Sequence, residues 1–198
     1  MTKDTFKDNA YKKEINNTLV KVWKQLGLGK AGYAVVLESE KMRTVTALKR
    51  AGFLEKNIEI PNNNLATYKK IVKKHRQTYY MSLGEYLDTI SIPENKYSLS
   101  LVFADYCGTI DGNKDTCPLE DIRNLFETKL MKKSSVLAVT FSTHNGKKPN
   151  KLQLNDISRM GARITMSAYE NGYVATELPF GRRYNNSMYF TIYQIHPK

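Results

Sequence analysis

The stretch "SLVFADYCGTIDG", Ser100 to Gly112, decides how the chain is read. Four apolar residues, Leu101 to Ala104, lead directly into Asp105, Tyr106, Cys107 and Gly108. A continuous apolar run reads as a strand buried on both faces, the pattern of a parallel sheet covered by helices. An acid, an aromatic ring and a turn-making glycine at its tip mark one of two things. Either this is a plain strand-to-loop corner, or it is where the sheet presents its chemistry.

The segments on either side repeat the pattern. "YAVVLES" (Tyr33–Ser39), "NIEIPN" (Asn57–Asn62), "TYYMS" (Thr78–Ser82) and "SVLAVTFS" (Ser135–Ser142) read as strands. Between them lie helical stretches: "MRTVTALKRAGF" closed by Gly52, and "NLATYKKIVKKH" with Asn64 as N-cap. "LGEYLDTI" opens on the capping-box pair Ser82 and Glu85, and "PLEDIRNLFETKLM" has Pro118 in its first turn. "QLNDISRMGARITMSAYENG" is helical with Gly161 as a weak point. Upstream, "AYKKEINNTLVKVWKQLGL" places Ile15, Leu19, Val22, Trp23 and Leu26 at helical spacing.

The last runs, "YVATELPFGRRY" and "SMYFTIYQI", have no helix between them and must meet as an antiparallel hairpin. Five β-then-α units followed by a hairpin imply an α/β fold. The expectation is a doubly wound, mainly parallel seven-stranded sheet with an antiparallel C-terminal hairpin and helices on both faces. Residues 1–31 are expected to form a helical segment packed on a domain spanning 32–198. In such sheets a ligand lies beyond the carboxyl ends of the strands, at the topological switch point. Glu38, Asn62, Ser82, Asp105 and Ser142 should therefore face one crevice.

Composition narrows the function. The 198 residues include 41% hydrophobic and 11% aromatic side chains, which suits one globular core. No apolar run approaches the roughly 18 residues that span a bilayer, and "MTKDTFKDNAYKKE" lacks the apolar core of a signal peptide. A soluble intracellular protein, cytoplasmic or nuclear, is expected, with no membrane partner. Cys107 and Cys117 show no metal-ligand spacing and read as simple thiols. His75, His144 and His196 form no recognisable catalytic pairing, although His144 follows the fifth strand and borders the crevice.

Thirty-one Lys and Arg against 19 Asp and Glu leave a formal charge of +12, a field that draws polyanions. The cations cluster in "YKKIVKKHR", "NGKKPNK" and "GRRY". Nucleic acid is the expected partner, with Lys73, Lys74, Arg76, Lys147, Lys148, Arg182 and Arg183 as candidate contacts. A lysine-rich surface kept for solubility is the plain alternative.

The element order resembles the class I S-adenosylmethionine-dependent methyltransferase fold over roughly Gly32 to Ile195. "LVFADYCGT" is similar to the acid-led motif, Asp-Pro-Pro-Tyr and relatives, that ends strand four in amino-methylating members. The run "ADYCGT … PLEDI … SVLAVTFST" is similar to tRNA guanine-N2 methyltransferases. The resemblance implies S-adenosylmethionine as cofactor, bound by Glu38, Ser39, Asn62, Ser82 and Asp105. It also implies Asp105 and Tyr106 as the residues that orient a methyl acceptor; by its residue type alone, the Tyr106 ring either stacks on a base or covers the sheet edge.

Two departures stand out. The acid-x-Gly-x-Gly loop of the family is here "LESEKMRT", without glycine, and the ribose-binding acid of strand two is replaced by "IPNNN". A second register would make Glu38 the ribose acid. The rival to an enzyme is therefore a non-catalytic relative, a nucleic-acid-binding module or partner subunit, with a homodimer as a further possibility.

Overall fold

The computed structural model describes residues 10–28, 32–91, 98–112, 116–143, 151–184 and 188–198, with side chains undescribed at 132–133, 151–153 and 183–184. Helices are α1 (Ala10–Gln25), α2 (Arg43–Arg50), α3 (Leu65–Ile71), α4 (Leu83–Ile90), α5 (Pro118–Glu127) and α6 (Lys151–Glu170). Strands are β1 (Tyr33–Val36), β2 (Ile58–Pro61), β3 (Thr78–Tyr79), β4 (Leu99–Thr109) and β5 (Met131–Ser142). β6 (Tyr173–Glu177), β7 (Arg182–Tyr184) and β8 (Met188–Pro197) complete the set.

The sheet runs β3-β2-β1-β4-β5-β8-β6, with the short β7 paired to β8 off this path. β1 to β5 are mutually parallel, and β8 enters antiparallel between β5 and β6. The expected doubly wound sheet is present, seven strands along its main path. The expected two-strand hairpin differs in one respect. Its first run breaks at Leu178–Gly181 into β6 and β7, which pair with opposite ends of β8.

Side chains alternate across the sheet into two cores. Val35, Val102, Ala104, Leu137 and Val139 pack with Leu87 of α4, Phe126 of α5 and Ile164 of α6. Ala34, Val36, Leu101, Phe103, Phe190 and Ile192 pack with Leu19 and Trp23 of α1, Val45 and Leu48 of α2 and Ile71 of α3. The run 101–104 is fully buried because helices cover both faces. α1 belongs to the second core, so within the segment expected over 1–31 residues 10–25 form a helix packed into the domain.

Local signals set the boundaries. Ser82 and Glu85 form the full capping box of α4, and Asn64 caps α3 by accepting from the Thr67 N–H at 2.9 Å. Gly161 leaves α6 uninterrupted. The order reverses between β1 and β4, where the Leu37 N–H donates to the Phe103 carbonyl at 3.0 Å. The chain leaves β1 toward β2 and leaves β4 toward β5, so their carboxyl ends separate and open a crevice.

Candidate active site

A cleft of about 590 Å³ occupies that crevice, within the size range of small-molecule sites. Glu38, Ser39, Asn62, Ser82, Asp105 and Tyr106 all line it, drawn from four successive strand ends. Ser142 is not in its lining, and its hydroxyl turns to the Thr143 carbonyl.

The loop after β1 shows what replaces the missing glycines. Met42 takes the left-handed conformation (φ 48°) and turns the chain into α2. The Glu38 carboxylate then accepts from the Thr44 and Val45 N–H groups at 2.5 and 2.9 Å, and from the Ser39 N–H at 3.2 Å. Free N–H groups at a helix start are a ready anion site. Here an internal acid occupies two of them. Glu38 is only 8% exposed; burial, and secondarily the charge of Asp105, push its pKa up to about 7 against the pull of those hydrogen bonds.

Asn62 is committed as well. Its Nδ2 donates to the Glu38 carbonyl and its Oδ1 accepts from the Asn64 N–H, both at 2.9 Å. The amide thus braces the β1 loop against β2. Asn63 spans the cleft to the Thr116 hydroxyl at 3.2 Å. Ser82 lines the cleft while its hydroxyl serves the capping box.

Asp105, at the carboxyl end of β4, takes two hydrogen bonds. Thr140 of β5, its register partner, donates to one carboxylate oxygen, and Lys12 of α1 donates to the other as an ion pair. The same ammonium sits 5.8 Å from the Phe103 ring centroid. Glu14, two residues along α1, pairs with Arg182 of β7. Asp105, Thr140, Phe190 and Arg182 are successive partners across four strands and therefore share one face, and α1 is clasped over that row by opposite charges at both ends.

Tyr106 points the other way. Its ring is 3% exposed in the core beneath α4 and α5, and its hydroxyl donates to Asp121 at 2.8 Å. Burial raises its pKa well above the ordinary tyrosine value, and the Asp121 charge raises it further. This corrects the stacking role expected for Tyr106. Alternation along β4 places Asp105 and Tyr106 on opposite faces, so the ring is a packing element with one satisfied polar atom.

The expected nucleic-acid contacts divide. Lys73, Lys74 and Arg76 are exposed beyond α3, Lys74 donating to the Glu40 carbonyl at 3.2 Å. Arg182 is corrected. Its guanidinium is turned to Glu14, and its Nε and Nη2 are buried, so it does not present a free fork to phosphate. Lys147, Lys148, His144 and the Arg183 side chain lie outside the described residues. Sequence reasoning missed Lys12, Thr140 and Asp121. Thr140 was legible as the one hydroxyl inside "LAVTF", whereas nothing in the helical period distinguishes Lys12 from its neighbours.

No protein-family model and no curated protein matches the sequence. Solved structures do match. The candidate methyltransferase yhhF of Escherichia coli superposes with TM-score 0.58 at 11% identity, over 93% of this chain and 86% of that one. An rRNA methylase from Streptococcus thermophilus gives 0.54 at 7% identity, over 92% and 93%. The magnesium protoporphyrin IX methyltransferase of Synechocystis, solved with S-adenosylmethionine bound, gives 0.53 at 11%, over 92% and 79%. The strand order, the cleft at the β1–β4 reversal and these superpositions agree: the chain has the class I methyltransferase fold.

Proposed function

We propose that the protein is an S-adenosylmethionine-dependent methyltransferase acting on nucleic acid, RNA before DNA. The observation that carries the reading is the Asp105 carboxylate, which lines the switch-point cleft together with Glu38, Asn62 and Ser82. The cofactor fits the donor set. It brings a sulfonium and an ammonium, and Glu38 and Asp105 are carboxylates beside a cavity of adequate size. Apart from Gly108 itself and its two chain neighbours, no heavy atom of the described residues lies within 4 Å of the position a Cβ on Gly108 would take, so a ligand can lie against the backbone there.

When bound, S-adenosylmethionine supplies an activated methyl group, and the chain's task is to orient the acceptor. Asp105 accepts a hydrogen bond from an amino group on a base and holds its lone pair toward the methyl. As the acceptor nitrogen took up the methyl group in place of its proton, Asp105 would hold that nitrogen in position and the proton would pass to solvent. Thr140 fixes the carboxylate rotamer. The net charge of +12 and the rRNA methylase among the structural neighbours support nucleic acid as substrate.

Titration calorimetry with S-adenosylmethionine tests the reading: heat of binding is expected, and silence at millimolar ligand removes the enzyme. Asp105→Asn should lower transfer at least 100-fold while the variant remains folded. The second reading is a cofactor-free nucleic-acid-binding relative. The observation favouring it is Glu38 itself, which occupies helix donors at α2. It expects salt-sensitive RNA binding unaltered by cofactor.

A further inference from the structure

A second groove, about 1020 Å³, lies between α1 and α2. Lys13, Lys21 and Lys24 line it from α1, Lys41 from the loop before α2, and Arg43 and Arg50 from α2. Among the described residues no Asp or Glu lines it. On α1 the cations recur at intervals of eight and three residues, with Asn17 between the first two, which places them on one helical face. On α2 the interval of seven does the same. Ala47 and Ala51 line the groove with small side chains.

Three acids close in sequence to the lining residues pair with cations that do not line the groove. Glu14 pairs with Arg182, Glu40 with Lys70, and Glu55 with Lys49. An evenly solvated lysine surface would intersperse the two signs along the helix faces. Here they are segregated.

We propose that this groove binds the phosphate backbone of a nucleic-acid strand, independently of cofactor; the choice of polyanion rests on the nucleic-acid reading above. The groove and the cleft have no lining residue in common, but the segments that line them adjoin in sequence. Ser39 lines the cleft while Lys41 and Arg43, a few residues on, line the groove. On α1, Lys12 reaches Asp105 while its neighbour Lys13 lines the groove. A strand laid along the groove is thereby led to the rim where Asp105 sits. Phosphate contacts of this kind set register and orientation without reading sequence.

The experiment is fluorescence anisotropy with a labelled oligouridine of about 12 nucleotides, between about 50 and 200 mM KCl. The triple variant Lys13→Gln, Lys21→Gln, Lys24→Gln removes three exposed cations. It should weaken binding at least tenfold at about 100 mM salt and flatten the log–log salt slope by about 2, since each single-strand phosphate contact is worth about 0.7. Arg50→Gln, on the opposite wall, should cost about threefold. The matched variant Lys56→Gln, Lys129→Gln, Lys198→Gln removes three exposed cations elsewhere and should change affinity less than twofold. All variants should melt with the wild type.

If the α1 variant keeps wild-type affinity and slope while the matched variant loses both, the groove is wrong and the nucleic-acid reading survives. If wild type fails to bind any RNA, both fall. Binding to phosphatidylserine vesicles with none to RNA also overturns the proposal.

Discussion

Lys12 and Asp105 stand 93 positions apart in sequence and meet as an ion pair at the carboxyl edge of the sheet. On the proposed function, an acceptor amine approaching that carboxylate would compete with the ammonium. Both side chains are less than a third exposed, so the pair is worth more than a surface bridge, about 1–3 kcal/mol. Lys12→Met should lower the melting point by a few degrees. It should also lower the KM for the nucleic-acid acceptor severalfold, because the acceptor no longer competes with an internal cation. A raised KM would show that Lys12 recruits substrate and does not compete with it.

Glu38 predicts a pH dependence. Burial raises its folded pKa from the ordinary 4.5 to about 7. Between these values the folded state holds a proton that the unfolded chain has released, so stability falls as pH rises. Its contribution is complete below about pH 4.5 and gone above about pH 7. Glu38→Gln keeps an oxygen for the Thr44 and Val45 N–H groups without the charge. Melts at pH 5 should match wild type, and melts at pH 8 should be higher for the variant. Parallel curves across that range would show that Glu38 is ionised throughout.

Tyr106→Phe separates packing from chemistry. It removes the donor to Asp121 and keeps the ring in the core. A buried carboxylate losing one partner costs about 1–3 kcal/mol, measurable in denaturant. Methyl transfer by the folded variant should stay within twofold. A hundredfold loss in kcat would return Tyr106 to the active site.

Gly112 and Thr116 both line the cleft and approach each other closely. The φ of Gly112 is +66°, and a Cβ there would lie 1.8 Å from the Thr116 carbonyl oxygen. Gly112→Ala combines a left-handed penalty of about 1–2 kcal/mol with a backbone clash that the loop must move to relieve. We expect a loss above about 2 kcal/mol in chemical denaturation, together with weakened ligand binding. An unchanged melt would mean that the loop has another conformation of equal energy.

The fold was legible because its signals are local and repeat. The apolar run 101–104, the Ser82–Glu85 box and Pro118 each survive as elements. Strand ends were legible too, and topology alone then gathers Glu38, Asn62, Ser82 and Asp105. What was hidden is how those side chains are spent. Tyr106 adjoins Asp105 in sequence, yet the period of two sends it to the opposite core. Asn62 looked like a ligand for a hydroxyl and instead binds backbone on both sides. Lys12 becomes significant only through a contact no short window of sequence contains. β6 and β7 read as one strand because the break at Leu178–Gly181 depends on where β8 ends.

The borders of the sheet bear on self-association. One margin is β3, two residues long; the other is β6 at five residues and β7 at three, with a bend between them. Neither offers the straight ladder of unpaired amides that lets one molecule template another. Among the described residues, the eight-stranded sheet thus presents no long straight edge that a second copy could extend.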